Sequence, residues 1–314
     1  MDFSQKRVSG LLLVGALLLY GLFAVYVERK LAAWIQDRQG PMETGPYGLL
    51  QTLADLLKLL RKAESIPATA VRGMFLFAPV LALLAVVGTL PWLPFAHLSA
   101  ENDYTLWLGI SVLSLEAVAL FLGGWSSGSK YALLGAYRLL VLLLAYELIL
   151  GLLLLTILTH YGTFSLVQIT HQQADIWGIF QSPMLFVAAM LWFAAGVMIA
   201  HRAPFDLPET ESELVAGTLT EYSGFRFALF MLAEYIVMLL QAIWISYVFL
   251  GGNLLLFAPV LVIAQMVLRW AWPRWRPDQV LALAWRRGIP GAFFVWVGEL
   301  LWQKIPTWLC YLEP

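Results

Sequence analysis

The chain has 314 residues, of which 61% are hydrophobic and 12% are charged. Soluble domains carry about 25% charged residues, so this composition excludes an ordinary soluble protein and indicates a multi-pass membrane protein. The net charge of −1 gives no indication of a nucleic-acid partner.

Eight apolar segments approach the length of about 20 residues that a bilayer-spanning helix needs. In chain order these segments are 11–27, 74–93, 106–124, 139–158, 176–200, 227–250, 253–268 and 289–302. The first follows two basic residues, as in a signal peptide, but the charged run 28–30 stands where a small-residue cleavage site would be required. We predict a retained first helix and an all-α fold, in which residues 1–314 form a single polytopic membrane domain of about eight transmembrane helices.

Basic residues are concentrated on one side of these spans. Most of the 19 lysines and arginines fall in four connections, about 28–73, 125–138, 201–226 and 269–287. The positive-inside rule predicts that these connections are cytoplasmic and that both termini lie outside. We predict a multi-pass protein of a bacterial plasma (inner) membrane, with both termini on the periplasmic side.

The first of these connections contains an amphipathic stretch, residues 49–62. Leucines occupy one helical face, whereas Gln51, Asp55, Lys58 and Lys62 occupy the other. A helix of this length is too short to span, so the pattern predicts one that lies in the membrane interface or docks on a partner.

Four glutamates, Glu116, Glu147, Glu234 and Glu299, interrupt the apolar segments. A charge near the centre of a membrane helix costs about 2.5–3.5 kcal/mol, and such residues usually mark ion or proton paths. The alternative for each is a neutral, hydrogen-bonded helix contact, and Glu299, near an outer end, could simply reach water.

The connection after the fifth segment is strongly acidic. It carries five carboxylates: Asp206, Glu209, Glu211, Glu213 and Glu221. Acid is therefore concentrated where two predicted spans meet water, although composition alone favours a solvated, well-started helix as the explanation.

Motifs for catalysis within the chain are missing. The polar stretch 123–131 contains no phosphate-binding glycine pattern and is adequately explained as a flexible turn. One cysteine and four separated histidines supply neither a disulfide framework nor ligands at metal-binding spacing. We therefore expect no protein-bound metal or iron–sulfur cluster, and if the chain is part of an enzyme, the electron-transfer chemistry must lie elsewhere.

Several segments carry a family resemblance. They are ERK (28–30), QDRQGP (36–41) and GLLQTLAD (48–55); GWSS (124–127), SKYALLG (129–135) and YE (146–147); RAPFDLPE (202–209), ELVAG (213–217) and EYS (221–223); and PR (273–274). In this order, and over nearly the whole chain, they resemble the H (ND1-type) membrane subunit of respiratory complex I, the proton-pumping NADH:quinone oxidoreductase. Met42 departs from the family's usual asparagine, and residues 62–64 from its more acidic run.

The resemblance implies a subunit without its own redox centre that forms part of a quinone tunnel and couples quinone reduction to proton pumping. It implies a tunnel lined or shaped by Arg29, Arg38, Asp55, Arg202, Phe205 and Asp206. It implies a proton path through Glu116, Glu147, Glu209, Glu211, Glu213 and Glu221. The quinone would be a substrate at a shared site, and flavin and iron–sulfur clusters would belong only to partner subunits.

The implied partners are peripheral quinone-site subunits, antiporter-like subunits, small membrane subunits and the lipid bilayer. Two alternatives stay open at this point: the equivalent membrane subunit of an energy-converting hydrogenase, and a stand-alone proton-coupled transporter. Transporters usually contain internal repeats, and none is visible in this sequence.

Overall fold

The computed structural model describes the backbone of residues 3–94, 102–208 and 214–312, and the side chains of residues 10–94, 102–208 and 214–304. Within these ranges the secondary structure is helical throughout. The helices are α1 (Phe3–Ile35), α2 (Gln51–Arg61), α3 (Arg72–Val87), α4 (Thr105–Ser126), α5 (Lys130–Tyr161), α6 (Leu166–Gln172), α7 (Gly178–Gln181), α8 (Pro183–Ile199), α9 (Gly224–Phe249), α10 (Leu254–Ala271), α11 (Pro277–Leu283) and α12 (Ile289–Leu312).

The predicted membrane bundle is confirmed. Seven helical stretches of the described chain are long and apolar enough to cross a bilayer: Gly10–Ile35, Arg72–Trp92, Thr105–Ser126, Lys130–Tyr161, Gly224–Phe249, Leu254–Ala271 and Pro277–Lys304. The apolar helix α8 has 17 residues, or about 26 Å at 1.5 Å per residue, which is the lower end of the range for a span.

Two predicted spans have different limits in the structure. Segment 176–200 is not one helix, because the helical conformation is interrupted at Ser182. The Ser182 side chain accepts a hydrogen bond from the Met184 amide (3.1 Å) and so caps α8, while Pro183 occupies the first helical position, where its missing N–H is not needed. The last span starts earlier than residue 289, since α11 continues through a π-helical segment, Ala284–Gly288, into α12.

Helix α9 is the centre of the bundle. It contacts α1, α3, α8 and α10, and most of its residues are buried. Large rings fill the space around it, including Trp192, Trp244, Phe230 and Phe249. The indole N–H of Trp192 donates to the Gln241 carbonyl oxygen on α9 (3.3 Å), which satisfies the polar atom that a buried tryptophan carries.

The polar stretch 123–131 is mostly not a turn. Gly123 and Gly124 belong to α4, and only residues 127–129 separate α4 from α5. A Cβ atom at Gly124 would lie 2.9 Å from the Ala132 carbonyl oxygen, and one at Gly135 would lie 2.8 Å from the Thr218 amide nitrogen. These glycines therefore let α4, α5 and the connection 201–223 approach closely.

Helix α2 agrees with the amphipathic stretch of the sequence. It packs against α1 and α9. Its leucine face stays open, with Leu53, Leu57 and Leu60 each about half exposed. An apolar face of this kind is suited to lipid or to a partner protein.

Candidate functional site

The acidic connection after α8 begins inside the helix bundle. Between residues 201 and 208 its side chains are mostly buried, and His201, Arg202 and Asp206 are only 3%, 4% and 9% exposed. Two charged groups and a histidine are therefore held among apolar helices. Burial of this kind is costly unless each charge finds a partner.

Arg202 is the hub of these contacts. Its Nε lies 3.1 Å from Glu234 Oε1 on α9, and its Nη1 lies 3.8 Å from Glu28 Oε2 on α1. The guanidinium carbon also sits 4.2 Å from the ring centroid of Tyr235, a cation–π distance. One buried cation thus joins the connection to two membrane helices.

Glu28 has a second cationic partner. Arg269, near the end of α10, donates a hydrogen bond to Glu28 Oε1. Two arginines and two glutamates therefore alternate in one cluster, which we call the Arg202 cluster: Glu28, Arg202, Glu234 and Arg269. It connects α1, α9, α10 and the connection 201–223.

His201 extends the charged region toward α4. Its Nε2 lies 3.5 Å from Glu116 Oε2, and both side chains are 2% exposed. Glu116 Oε1 and the two ring nitrogens of His201 make no hydrogen bond with any residue that the structure describes. Buried polar atoms such as these bind water or a polar group of a ligand.

Glu147 continues the series on α5. Its Oε1 accepts a hydrogen bond from Ser114 Oγ on α4. The buried hydroxyl of Tyr146 interacts electrostatically with both Glu147 and Glu116. Both mid-span glutamates that the sequence singled out therefore lie within electrostatic range of one tyrosine.

The connection after α10 holds residues 204–206 from the other side. The Asp206 carboxylate pairs with Arg274, and Phe205 packs edge-on against Trp275 with ring centroids 6.1 Å apart. The Trp275 amide also donates to the Pro204 carbonyl (3.1 Å). This segment fixes the backbone immediately after Arg202.

The first cytoplasmic connection forms a separate polar region. Arg29 and Asp55 make an exposed ion pair of 2.5 Å, and Arg38 donates to Gln36 (2.7 Å). Both arginines line a cavity of about 580 Å³ together with Gln51 and residues 39–43.

An apolar groove of about 440 Å³ runs between α1, α9 and α10. Its wall includes Phe23, Ile243, Val262 and Tyr20. The Tyr20 hydroxyl interacts electrostatically with Arg202 and with Glu28. The wall of this groove therefore includes one residue, Tyr20, that lies within electrostatic range of the Arg202 cluster.

Comparison with known proteins identifies the family. The family model described as NADH dehydrogenase matches residues 8–298. The chain belongs to this family, as an H-type membrane subunit. It is 37% identical to an H subunit of the NADH-quinone oxidoreductase of Cytophaga hutchinsonii, over 92% of this chain and 97% of that protein. The H subunit of Chlorobium luteolum is 38% identical over 94% of the chain and 89% of its own length, and that of a Geobacillus species 39% over 90% and 89%.

These matches confirm the resemblance found in the sequence. The named relatives are subunits of NADH-quinone oxidoreductases, so the findings favour neither the hydrogenase nor the stand-alone transporter. The roles assigned to individual residues remain predictions.

The structure brings together only part of the site that the resemblance implies. Arg202, Asp206, Phe205 and Glu116 lie in or beside the buried connection, and Glu147 lies one step further. The group Arg29, Arg38 and Asp55 forms its own region on the first connection. Glu221 is half-buried, whereas Glu209, Glu211 and Glu213 lie outside the described residues.

Four residues that form ion pairs in this region were not among the predicted site residues. They are Glu28, His201, Glu234 and Arg269. Glu234 gave a signal as an acid inside an apolar segment, and Arg269 follows directly on another such segment. Their pairing with Arg202 joins distant parts of the chain, so no local pattern could reveal it.

Proposed function

We propose that this chain forms part of the quinone-binding tunnel of a proton-translocating NADH-quinone oxidoreductase and couples quinone reduction to proton pumping. It is a membrane subunit that contributes no redox centre. The quinone is a substrate shared with neighbouring subunits, and flavin and iron–sulfur clusters belong to those partners.

The observation that carries this proposal is the burial of Arg202 between Glu28 and Glu234, beside the His201–Glu116 pair. A movement of residues 201–208 relative to α1 and α9 would separate Arg202 from Glu28 or Glu234, because these two carboxylates lie on those helices. A change in partner alters how strongly a carboxylate holds a proton. Quinone chemistry near this connection would thereby alter proton affinity inside the bundle.

The shape of the surrounding surface supports a quinone as the coupled substrate. A quinone has a polar headgroup and a long apolar tail, so its binding site needs apolar walls with a few polar groups at one end. The groove between α1, α9 and α10 supplies apolar walls for the tail. The Tyr20 hydroxyl is buried behind this wall, within electrostatic range of Arg202.

The test replaces Glu116 or Glu147 by glutamine in the intact complex, which keeps side-chain size and removes the titratable proton. Electron transfer from the donor to an artificial acceptor of the peripheral arm should persist, because that chemistry lies in other subunits. Protons translocated per quinone reduced should fall several-fold. The control Glu64→Gln removes a partly exposed carboxylate, paired with Arg226 (2.8 Å) near the surface, and should leave the ratio unchanged. Wild-type ratios in both Glu116→Gln and Glu147→Gln would refute the coupling role.

Partners and orientation need separate measurements. Purification in mild detergent should yield this chain with peripheral quinone-site, antiporter-like and small membrane subunits, and with flavin and iron–sulfur clusters. In a chain whose native Cys310 is replaced by serine, a membrane-impermeant thiol reagent should label a cysteine introduced at Ser65 only from the cytoplasmic side. Labelling from the periplasm would reverse the proposed topology.

A further inference from the structure

A second buried acid lies at the other end of the bundle from the Arg202 cluster. Gly135, in the first part of α5, contacts Pro208 and Thr218 of the connection 201–223. His160 lies 25 residues further along the same helix, so at 1.5 Å per residue it is about 37 Å away. This distance is close to the thickness of a bilayer.

His160 is paired there with Glu299 of α12. Its Nδ1 lies 2.7 Å from Glu299 Oε1, and Ser182 Oγ donates to Glu299 Oε2 (2.5 Å). Glu299 is 0% exposed. The expectation that this glutamate could reach water is therefore wrong, and the reason is that α5, α8 and α12 enclose it.

The hydrogen bonds around the pair determine its protons. Gln181 Nε2 donates to the carbonyls of Gln172 (3.0 Å) and Ile176 (2.9 Å), so its Oε1 is an acceptor. His160 Nε2, 3.0 Å from that oxygen, must therefore carry a proton. The Ser182 oxygen already accepts from the Met184 amide, so its own proton points at Glu299.

Nδ1 of His160 and Oε1 of Glu299 lie 2.7 Å apart, and two acceptor atoms at this distance need a proton between them. An imidazolium with a carboxylate and an imidazole with a carboxylic acid contain the same number of protons. The pair thus holds one shared proton in addition to the Nε2 proton of His160. Neither arrangement uses a residue from the Arg202 cluster.

A route to water exists on the histidine side. His160 is 16% exposed and, with Thr159, Tyr161, Gly162, Trp302 and Gln303, lines an open cavity of about 590 Å³. The imidazole stands between this cavity and the buried carboxyl. It can accept a proton on one nitrogen while it releases one from the other.

We propose that the His160–Glu299 pair is a proton-exchange site on the membrane face opposite the Arg202 cluster. On release, His160 gives its Nε2 proton to water in the cavity, and the shared proton settles on Nδ1, which leaves neutral His160 and ionised Glu299. Gln181 has to turn in this step, because its oxygen then no longer faces a donor. Uptake is the reverse. The proposal rests on the proposed function, since proton translocation requires exchange with water on both faces.

Other titratable groups lie on the elements packed around the pair. Tyr161 interacts electrostatically with Glu299 and donates its hydroxyl to the Val248 carbonyl (3.4 Å). His171 belongs to α6, Asp175 follows α6, and Lys304 lies near the end of the described side chains of α12. Their substitution should shift the pH dependence of exchange without abolishing it.

A purely structural clamp between α5, α8 and α12 is the competing explanation, and Glu299→Gln separates the two. A glutamine oxygen can accept from Ser182 while its amide donates to neutral His160 Nδ1, so every hydrogen bond of the clamp persists. The variant has no shared proton to exchange. Assembly of the complex should therefore match the wild type.

The experiment reconstitutes the complex in liposomes and follows proton release into the compartment that His160 faces, with a pH-sensitive dye. We expect release to be slowed at least about tenfold in both Glu299→Gln and His160→Gln. The control Asp103→Asn removes an exposed carboxylate at the same end of the bundle, next to Gln168, and should behave like the wild type. Wild-type release in Glu299→Gln would establish the clamp alone and overturn the proposal.

A second measurement does not depend on turnover. Infrared pH-difference spectra of the resting complex should show carboxyl and imidazole bands that disappear in Glu299→Gln and His160→Gln. Their absence from the wild type would overturn the exchange site even if pumping were normal. If the bands are present and the wild type does not pump, the exchange site stands and the proposed coupling function fails.

Discussion

Replacing Arg202 by methionine is the sharpest test of the buried cluster. Methionine keeps an apolar chain of similar length and removes the cation between Glu28 and Glu234, whose side chains are only 4–5% exposed. Breaking a buried ion pair by removing one partner costs about 3–5 kcal/mol, because the remaining charge has no compensation. Arg269 still neutralises Glu28, so the loss falls mainly on Glu234.

Hydrogen–deuterium exchange of the complex in lipid nanodiscs measures this loss locally. Each 1.4 kcal/mol is about a tenfold change, so amides of residues 201–208 should exchange at least about 10²-fold faster in Arg202→Met. Adding Glu234→Gln removes the uncompensated carboxylate. The double variant should recover at least about 1 kcal/mol of local stability, which slows amide exchange of residues 201–208 roughly fivefold relative to Arg202→Met, since residues in one network couple by such amounts.

The matched control is Arg226→Met. Arg226 pairs with Glu64 at 2.8 Å, but the two side chains are 20% and 31% exposed. Ion pairs in contact with water contribute about 0–1 kcal/mol, so the exchange rate of the amides of residues 201–208 should change by less than about fivefold in Arg226→Met. If Arg202→Met and Arg226→Met have equal effects, or if Glu234→Gln rescues nothing, the cluster does not hold the connection and the reasoning is wrong.

Three further predictions concern the packing of the site. Gly135→Ala should lower the melting temperature of the complex, because overpacking against the connection costs about 1–3 kcal/mol, whereas Gly151→Ala, with open space around its Cβ position, should be neutral. Tyr222→Phe should cost about 1 kcal/mol in thermal stability through its lost hydrogen bond to α3. Burial raises the pKa of the Tyr222 hydroxyl above its ordinary value of about 10, so this contribution should stay constant from neutral to mildly alkaline pH and fade only above it. Trp275→Ala should speed hydrogen–deuterium exchange at Phe205, because the ring pair, worth about 0.5–1.5 kcal/mol, is lost.

Much of the architecture follows from local sequence. Apolar length alone located the membrane helices, and the alternation of leucine with polar residues located α2. Single residues set the limits that length could not predict. Ser182 and Pro183 start α8 in the middle of an uninterrupted apolar run, because a capping hydroxyl and a proline outweigh hydropathy at that point.

The site was less predictable than the spans. Glu116 and Glu147 were recognisable because a carboxyl in an apolar run is costly. Glu28 was not, because it stands at the end of its segment beside Arg29 and Lys30, where a charge normally faces water. Its burial depends on Arg202 and Arg269, which lie far away in the chain.

The Arg202 cluster is difficult to explain by stability alone. Replacing a buried ion pair with apolar residues of similar volume is often neutral or even stabilising, so selection for stability does not require two arginines and two glutamates here. What such a cluster provides is a set of alternative pairings. Glu28 already has two cationic partners, and Arg202 two anionic ones. A shift of the connection can therefore release one carboxylate while another stays neutralised, and a released carboxylate binds a proton. A quinone-driven displacement of Arg202 would thus become a proton-affinity change in α1 and α9 without any redox group in this chain.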